Sequence, residues 1–342
     1  TFNLPSSWPD ALTEQWTVEV GLGYGSPVIV GDRIYMFTRQ DGDEVMLAMN
    51  VDTGEVLWRS SYPAPFEMMP AAARHGAGPK STPTFADGRL FTLGMSGIVT
   101  SWDSETGQQL WQIEAPPVQP MYHTAMSPVV DGDRMVVHIG GQDNGALTAF
   151  DVATGEVHWN WDGDGPAYGS PIVVELEGTR QVVTFTQEHM VGVALETGAL
   201  LWSRPFVTPS TTTSQTPILY NGRLVEAGRA NGITLFRVVN EGTAWTTEDV
   251  WHTDEVSLHM TNGVIVDGVL FGLSHLNSGQ YFGLDLDTGE TTELFRSEAP
   301  YYERPVDFLD DDAQLLLTQR ETVTDPPNYY VRDLGSGDAR AV

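Results

Sequence analysis

The sequence predicts an all-β chain, a seven-bladed β-propeller of four-stranded antiparallel blades. Two observations carry that prediction. The first is a turn that recurs seven times. Its fullest copy runs Ala149-Phe150-Asp151-Val152-Ala153-Thr154-Gly155-Glu156-Val157-His158-Trp159: a strand, a tight Thr-Gly turn, and a second strand bearing tryptophan. The turn glycines stand at 54, 107, 155, 198, 242, 289 and 337, between 43 and 53 residues apart. A period of roughly 40–50 residues holding several short strands is the signature of propeller blades. The second observation is a repeated opening: Ser26-Pro27, Thr82-Pro83, Ser127-Pro128, Ser170-Pro171 and Thr216-Pro217 each precede an apolar run. Proline is tolerated at the first residue of a strand because no ladder hydrogen bond is lost there.

Each blade then reads in order. Strand A follows Ser/Thr-Pro. A polar turn such as Asp87-Gly88-Arg89 or Asn221-Gly222-Arg223 leads to the apolar strand B, strand C ends at the Thr-Gly turn, and strand D carries the tryptophan. The blades span about 26–61, 82–114, 127–162, 170–205, 216–253, 261–297 and 305–337, within a single domain covering 1–342. The weakest copies are Asn240-Glu241-Gly242 with Trp245, and Asp333 with Ser336-Gly337. Residues 1–12 form a polar lead-in. Thr13 to Val20, with Trp16, resemble a lone D strand and are expected to complete the last blade, closing the ring and leaving no open edge. The tryptophans at 16, 58, 111, 159 and 202 are read as packing between neighbouring blades, since buried aromatics chiefly supply apolar area.

The Ser/Thr-Pro start and the Asp-x-x-Thr-Gly-x-x-x-Trp end resemble the quinoprotein-like (PQQ-like) repeat. That repeat occurs in quinone-cofactor alcohol dehydrogenases and in the BamB family of outer-membrane assembly propellers. The resemblance covers nearly the whole chain and speaks for fold more than for function, because the repeated residues are structural. It implies an exported, extracytoplasmic protein, in the periplasm or at the cell surface, with either a leader removed ahead of Thr1 or the chain trimmed there.

The charge balance narrows the partners. Seventeen Lys and Arg face 46 Asp and Glu, a net charge of −29, and Lys80 is the sole lysine. Such a surface repels nucleic acid and anionic membranes. No apolar run is long enough for a transmembrane helix. Without cysteine there is no disulfide and no thiolate metal site.

Binding residues are expected on the D–A and B–C loops, which share one face of a propeller. The D–A loops (63–81, 115–126, 162–169, 206–215, 253–260 and 298–304) are long and individual, whereas the A–B and C–D turns are short and alike. Variable loops on a rigid scaffold are where recognition concentrates. The positions three before each strand-A proline should ring the channel mouth. They give Tyr24, Lys80, Ala125, Tyr168, Ser214 and Tyr302, with His259 by looser alignment. Neighbouring loop residues complete the candidate set: Arg74, His75, His123, Gln215, Glu303 and Arg304. Three resemblances to other motifs fail on context: Gly76–Ser81 lacks the phosphate-loop glycine and helix, Gly21–Gly25 the dinucleotide spacing, and Asp162–Gly165 the length of a calcium loop.

The leading functional expectation is a non-catalytic scaffold or ligand-binding subunit of an envelope complex, with another protein or envelope component as partner. No catalytic residue, cofactor or metal is expected. An alternative is a metal-dependent propeller lyase or hydrolase using His75, His123, His259 and Gln215, since imidazole suits zinc- and manganese-like ions. The third reading is a quinone-dependent dehydrogenase. The resemblance implies for those enzymes an eight-bladed ring, a calcium ion held by carboxylate and amide ligands, an aspartate base, and commonly a vicinal disulfide, whereas this chain offers only Glu303 as an obvious mouth carboxylate.

Overall fold

The computed structural model describes residues 13–342 except 243, 277–279, 298 and 311; the lead-in at 1–12 lies outside the described residues. Seven four-stranded antiparallel sheets are present, each built from consecutive segments, which is the sheet content of a seven-bladed propeller. Blade one consists of Val28–Val30, Arg33–Gln40, Asp43–Asn50 and Val56–Pro63. Blade two follows with Thr84–Ala86, Arg89–Leu93, Val99–Asp103 and Gln109–Ile113. Blade three takes Val129–Asp131, Arg134–Ile139, Ala146–Asp151 and Val157–Trp161. Blade four takes Ile172–Leu176, Thr179–Phe185, His189–Ala194 and Leu200–Pro205. Blade five has Ile218–Tyr220, Arg223–Ala227, Ile233–Asn240 and Trp245–Thr253. Blade six has Val264–Val266, Val269–Ser274, Gln280–Asp285 and Thr291–Arg296, and blade seven Tyr302–Phe308, Leu315–Glu321, Asn328–Asp333 and Ala339–Ala341. By packing, the chain divides into two compact units, Gln15–Glu226 with Phe236–Asp249, and Ala227–Leu235 with Val250–Val342.

The A–B hairpins close as their residues dictate. Asp87-Gly88 and Asn221-Gly222 have φ of 46° and 76°, and of 47° and 72°. Positive φ at both central residues is the type I′ turn that matches strand twist. Strands B and C are buried almost throughout, while D strands are half exposed. In the first unit the apolar cores lie between successive blades. Tyr35, Phe37 and Met46 of blade one meet Leu90 and Trp102 of blade two, and Val136 and Ala149 of blade three meet Val182 and Val191 of blade four.

The recurrent turn is a device for joining blades. In blade three Asp151 Oδ1 accepts hydrogen bonds from the backbone N–H of Ala153 at 2.9 Å and of Thr154 at 2.8 Å, and from the Thr154 hydroxyl at 3.0 Å. Asp103 and Asp285 hold their turns in the same way. The tryptophan of the preceding blade lies on the turn glycine. A Cβ at Gly155 would stand 2.9 Å from the Trp111 ring, and one at Gly198 2.7 Å from Trp159. The indole N–H then donates to a carbonyl of the same turn: Trp58 to Ser104, Trp111 to Val152, Trp159 to Leu195 and Trp251 to Leu286, at 2.8–3.1 Å. A register shift beside the tryptophan recurs in blades one to four, leaving one extra residue, such as His158, before it. Such a bulge turns the edge strand and its side chain.

Four departures from the expected pattern are seen. Blade five staples through Trp251, whereas Trp245 joins the core around Phe236 and Trp202. Trp202 turns inward and donates to Gln181 Oε1 at 2.7 Å, leaving Gly242 with open space around it. Blade seven draws its fourth strand from Ala339–Ala341, which pairs with Tyr330–Arg332 after the Ser336-Gly337 turn. Residues 13–20 carry no strand, yet Trp16 lies on Gly54 and donates to Val51 O at 3.1 Å, repeating the staple at blade one.

Candidate functional site

Six of the candidate residues meet or adjoin in the first unit, on the loops ahead of blades one to five. The segment Pro70–His75 forms a short 3-10 helix, opened by a proline whose missing N–H costs nothing there. It sets His75 edge-on to Tyr122, with ring centroids 6.0 Å apart, and Tyr122 packs edge-on to Tyr168 at 5.7 Å. The Tyr168 hydroxyl accepts from the Tyr122 backbone N–H at 3.3 Å, and Tyr168 N donates to Thr213 O at 2.8 Å. Gln215 is buried at the next step of that loop, its carbonyl so near Gly169 that a Cβ there would stand 1.9 Å away. The exposed Tyr24 reaches toward Gly76, with its backbone N–H held by Pro79 O at 2.7 Å. The side chain of Arg74 lies outside what the structure describes.

Lys80 and His123 are the chemical centre of this group. The Lys80 amine donates to the Tyr122 carbonyl, and no carboxylate among the described residues lies within ion-pair distance of it. Burial holds its pKa below the ordinary lysine value. His123 has φ of 62° and is 1% exposed. Its Nε2 accepts from the Met69 N–H at 3.4 Å, so in the neutral ring the proton resides on Nδ1. That Nδ1 is buried with no hydrogen-bond partner. Burial, and secondarily the charge of Lys80, hold the imidazole pKa down, while burial pushes the Tyr168 phenol up to about 12. Phe66 packs edge-on to His123 at 5.1 Å, and the Arg39 guanidinium lies 4.6 Å over the same Phe66 ring. The arrangement thus offers the half-buried Lys80 ammonium to an incoming acceptor, while the His123 imidazole N–H stays enclosed beside it.

The other four candidates belong to the second unit. His259 faces His275 at 5.4 Å, and burial, then His275 and Arg229, hold its pKa down. Tyr302 is 58% exposed, and with Arg304 it borders a cavity of about 370 Å³ walled by Phe271, Tyr281 and Phe308. The Arg304 Nε donates to Gln319 Oε1 at 3.0 Å. Glu303, expected at an open mouth, is instead buried in blade seven. Arg332 Nη2 holds both its oxygens, at 3.0 and 2.9 Å, and the Thr318 hydroxyl donates at 2.7 Å. The side chain turns inward because Glu303 sits on strand A, where alternate residues face the sheet interior.

The loop reading noted Tyr122 but left it out of the candidate set, and it passed over Phe66, which also joins the first cluster, and Arg320, which stacks on Tyr330 and Tyr301 in blade seven. Tyr122 had a signal, its place beside His123 in an individual loop. Arg320 had none, because its neighbours come together only through strand pairing.

Comparison with known proteins fits this architecture. BamB of Escherichia coli K12 is 28% identical over 207 residues, covering 59% of this chain and 48% of that protein. Subunit 1 of the cytochrome c methanol dehydrogenase of Methylorubrum extorquens is 26% identical over 169 residues, 45% of this chain and 26% of that one. The matches therefore span about half or less of these relatives' length. Among solved structures, BamB from Moraxella catarrhalis gives a TM-score of 0.57 at 13% identity, over 93% of each chain. The computationally designed Ika8 protein gives 0.54 at 14% identity, over 92% of this chain and 85% of that one. At such identities these likenesses speak for the fold alone. The family described as outer membrane protein assembly factor BamB matches residues 42–292, well over half of the sequence, and the chain belongs to that family.

Proposed function

We propose that the chain is a non-catalytic, extracytoplasmic binding propeller that engages an acidic segment of an envelope protein through the loops around Lys80. The observation that carries this reading is the chain's sole lysine, half-buried among individual loops and free of any carboxylate partner among the described residues. On a body of net charge −29, such a site attracts an acceptor that the rest of the surface repels. Tyr24, His75, Tyr122 and Tyr168 supply rigid aromatic area around it, the composition of interface anchors. Membership of an assembly-factor family supports a scaffold in the envelope.

The test is capture of the partner from the envelope fraction of the source organism with wild type, Lys80→Glu and Arg304→Ala. The partner is expected to be lost with Lys80→Glu, kept with Arg304→Ala, and weakened by salt, as the Debye length shortens from about 10 Å at 0.1 M to about 3 Å at 1 M. Equal capture by Lys80→Glu would refute the site.

A further inference from the structure

Blade seven carries a second cluster, independent of the site at Lys80. Its starting point is an imbalance of charge around Glu303. Arg332 already engages both carboxylate oxygens of that buried group, so one cation answers one anion. Arg320 also points toward it, but its Nη1 stops 3.9 Å from Oε2, beyond hydrogen-bond reach. Its guanidinium is sandwiched between the rings of Tyr330, 3.7 Å from the centroid, and Tyr301, at 4.6 Å. Its Nε is enclosed and has no hydrogen-bond partner. The side chain is thus held chiefly by Tyr330 and Tyr301, and no carboxylate lies within hydrogen-bond reach of its edge, the edge being where a guanidinium recognises oxygen.

This arginine borders a cavity of about 510 Å³, within the range of small-molecule sites. The remaining wall combines donors with acceptors. Asn328 Oδ1 accepts from the Tyr329 N–H at 2.9 Å, so its amide NH₂ is the group left over. Asp325 Oδ2 accepts from the Thr322 hydroxyl at 3.1 Å, leaving Oδ1 available. Glu321 adds a carboxylate, and Pro326-Pro327 adds an apolar wall. The loop that presents Asp325 is braced, since Thr322 N donates to Asp325 O at 3.1 Å and Asp325 N to the Thr322 hydroxyl at 2.9 Å.

The mixture selects the ligand class. A plain anion meets Glu321 and Asp325, and a plain cation meets Arg320. A neutral polyol satisfies both, because each hydroxyl accepts from Arg320 or Asn328 and donates to a carboxylate, while its C–H faces rest on tyrosine and proline. We propose that the Tyr301–Arg320–Tyr330 cavity of blade seven is a binding site for a neutral saccharide.

The experiment is isothermal titration of the full chain with glucose, galactose, mannose, N-acetylglucosamine, maltose, cellobiose and lactose. At least one is expected to bind with 1:1 stoichiometry. Glu321→Gln and Asn328→Ala, both outside the Glu303 ion cluster, should each weaken it about tenfold, the size of one lost hydrogen bond to a charged or oriented partner. Their circular dichroism and melting should match wild type, and Lys80→Glu should bind the sugar normally. Absence of binding across the panel, binding unchanged in both variants, or binding of glycine in place of the sugars would overturn the assignment.

Discussion

Trp159→Ala tests the joint between blades three and four. The indole is 7% exposed, packs with Val136, Leu147, Val182 and Val193, and donates to Leu195 O at 2.8 Å. Truncating a buried tryptophan costs about 3–5 kcal/mol, including about 1 kcal/mol for the hydrogen bond. The other half of the joint is Gly198, with φ of 73° and its Cβ position 2.7 Å from the Trp159 ring. Gly198→Ala therefore carries two penalties, about 1–2 kcal/mol for a left-handed alanine and about 1–3 kcal/mol for overpacking. In the Trp159→Ala background the second penalty has nothing to act on. The double variant should be more stable than the sum of the singles by about 1–3 kcal/mol. The assay is urea unfolding followed by far-ultraviolet circular dichroism, which does not depend on indole emission. A loss below about 1 kcal/mol for Trp159→Ala, or the same cost of Gly198→Ala in both backgrounds, would refute the stapling argument.

Trp16→Ala should destabilise by about 1–2 kcal/mol, less than Trp159→Ala because the ring is only half buried; a calorimetric melt unchanged from wild type would show that the N-terminal staple contributes nothing. His138 is wholly buried, donates from Nε2 to Asp164 O at 3.0 Å, and is held at about 4 by burial. An unfolded histidine takes up its proton near 6.5, so stability should fall as pH drops below about 6.5 and level off below about 4, a loss of ~3 kcal/mol. Unfolding curves of His138→Gln between pH 7 and 4 should show a correspondingly flatter dependence. Arg332→Ala leaves Glu303 buried without its main partner and should cost about 3–5 kcal/mol, with Glu303→Gln in the same background recovering part of it by denaturant titration.

Sheet content and blade order were legible because each blade repeats the same local chemistry. Asx-turn aspartates, turn glycines and strand-opening prolines act within a few residues, so their pattern survives in sequence. Trp251 was missed because nine residues, not four, separate it from Gly242, a spacing the longer strand Trp245–Thr253 absorbs. The bulge before each tryptophan left no residue signature, since any side chain can occupy it. Of the candidate site, the part on contiguous loops emerged, as with Tyr168, Lys80 and His123. Glu303 was misjudged because its partners, Thr318 and Arg332, lie 15 and 29 residues away and meet it only after strands pair.

The staples all point one way: the tryptophan of one blade closes on the turn of the blade that follows it in the chain. During synthesis a blade therefore emerges with its indole uncovered and waits for roughly another 40 residues before its lid exists. At the several residues per second of a ribosome, that delay lasts seconds. Through blades one to three the nascent chain trails one exposed aromatic edge, and that edge moves forward as each unit completes. Among the D-strand tryptophans of blades one to four, Trp202 alone bonds within its own blade and is satisfied without waiting. Blade four is thus a natural stopping place, at which a growing chain can pause with no staple waiting for the next turn.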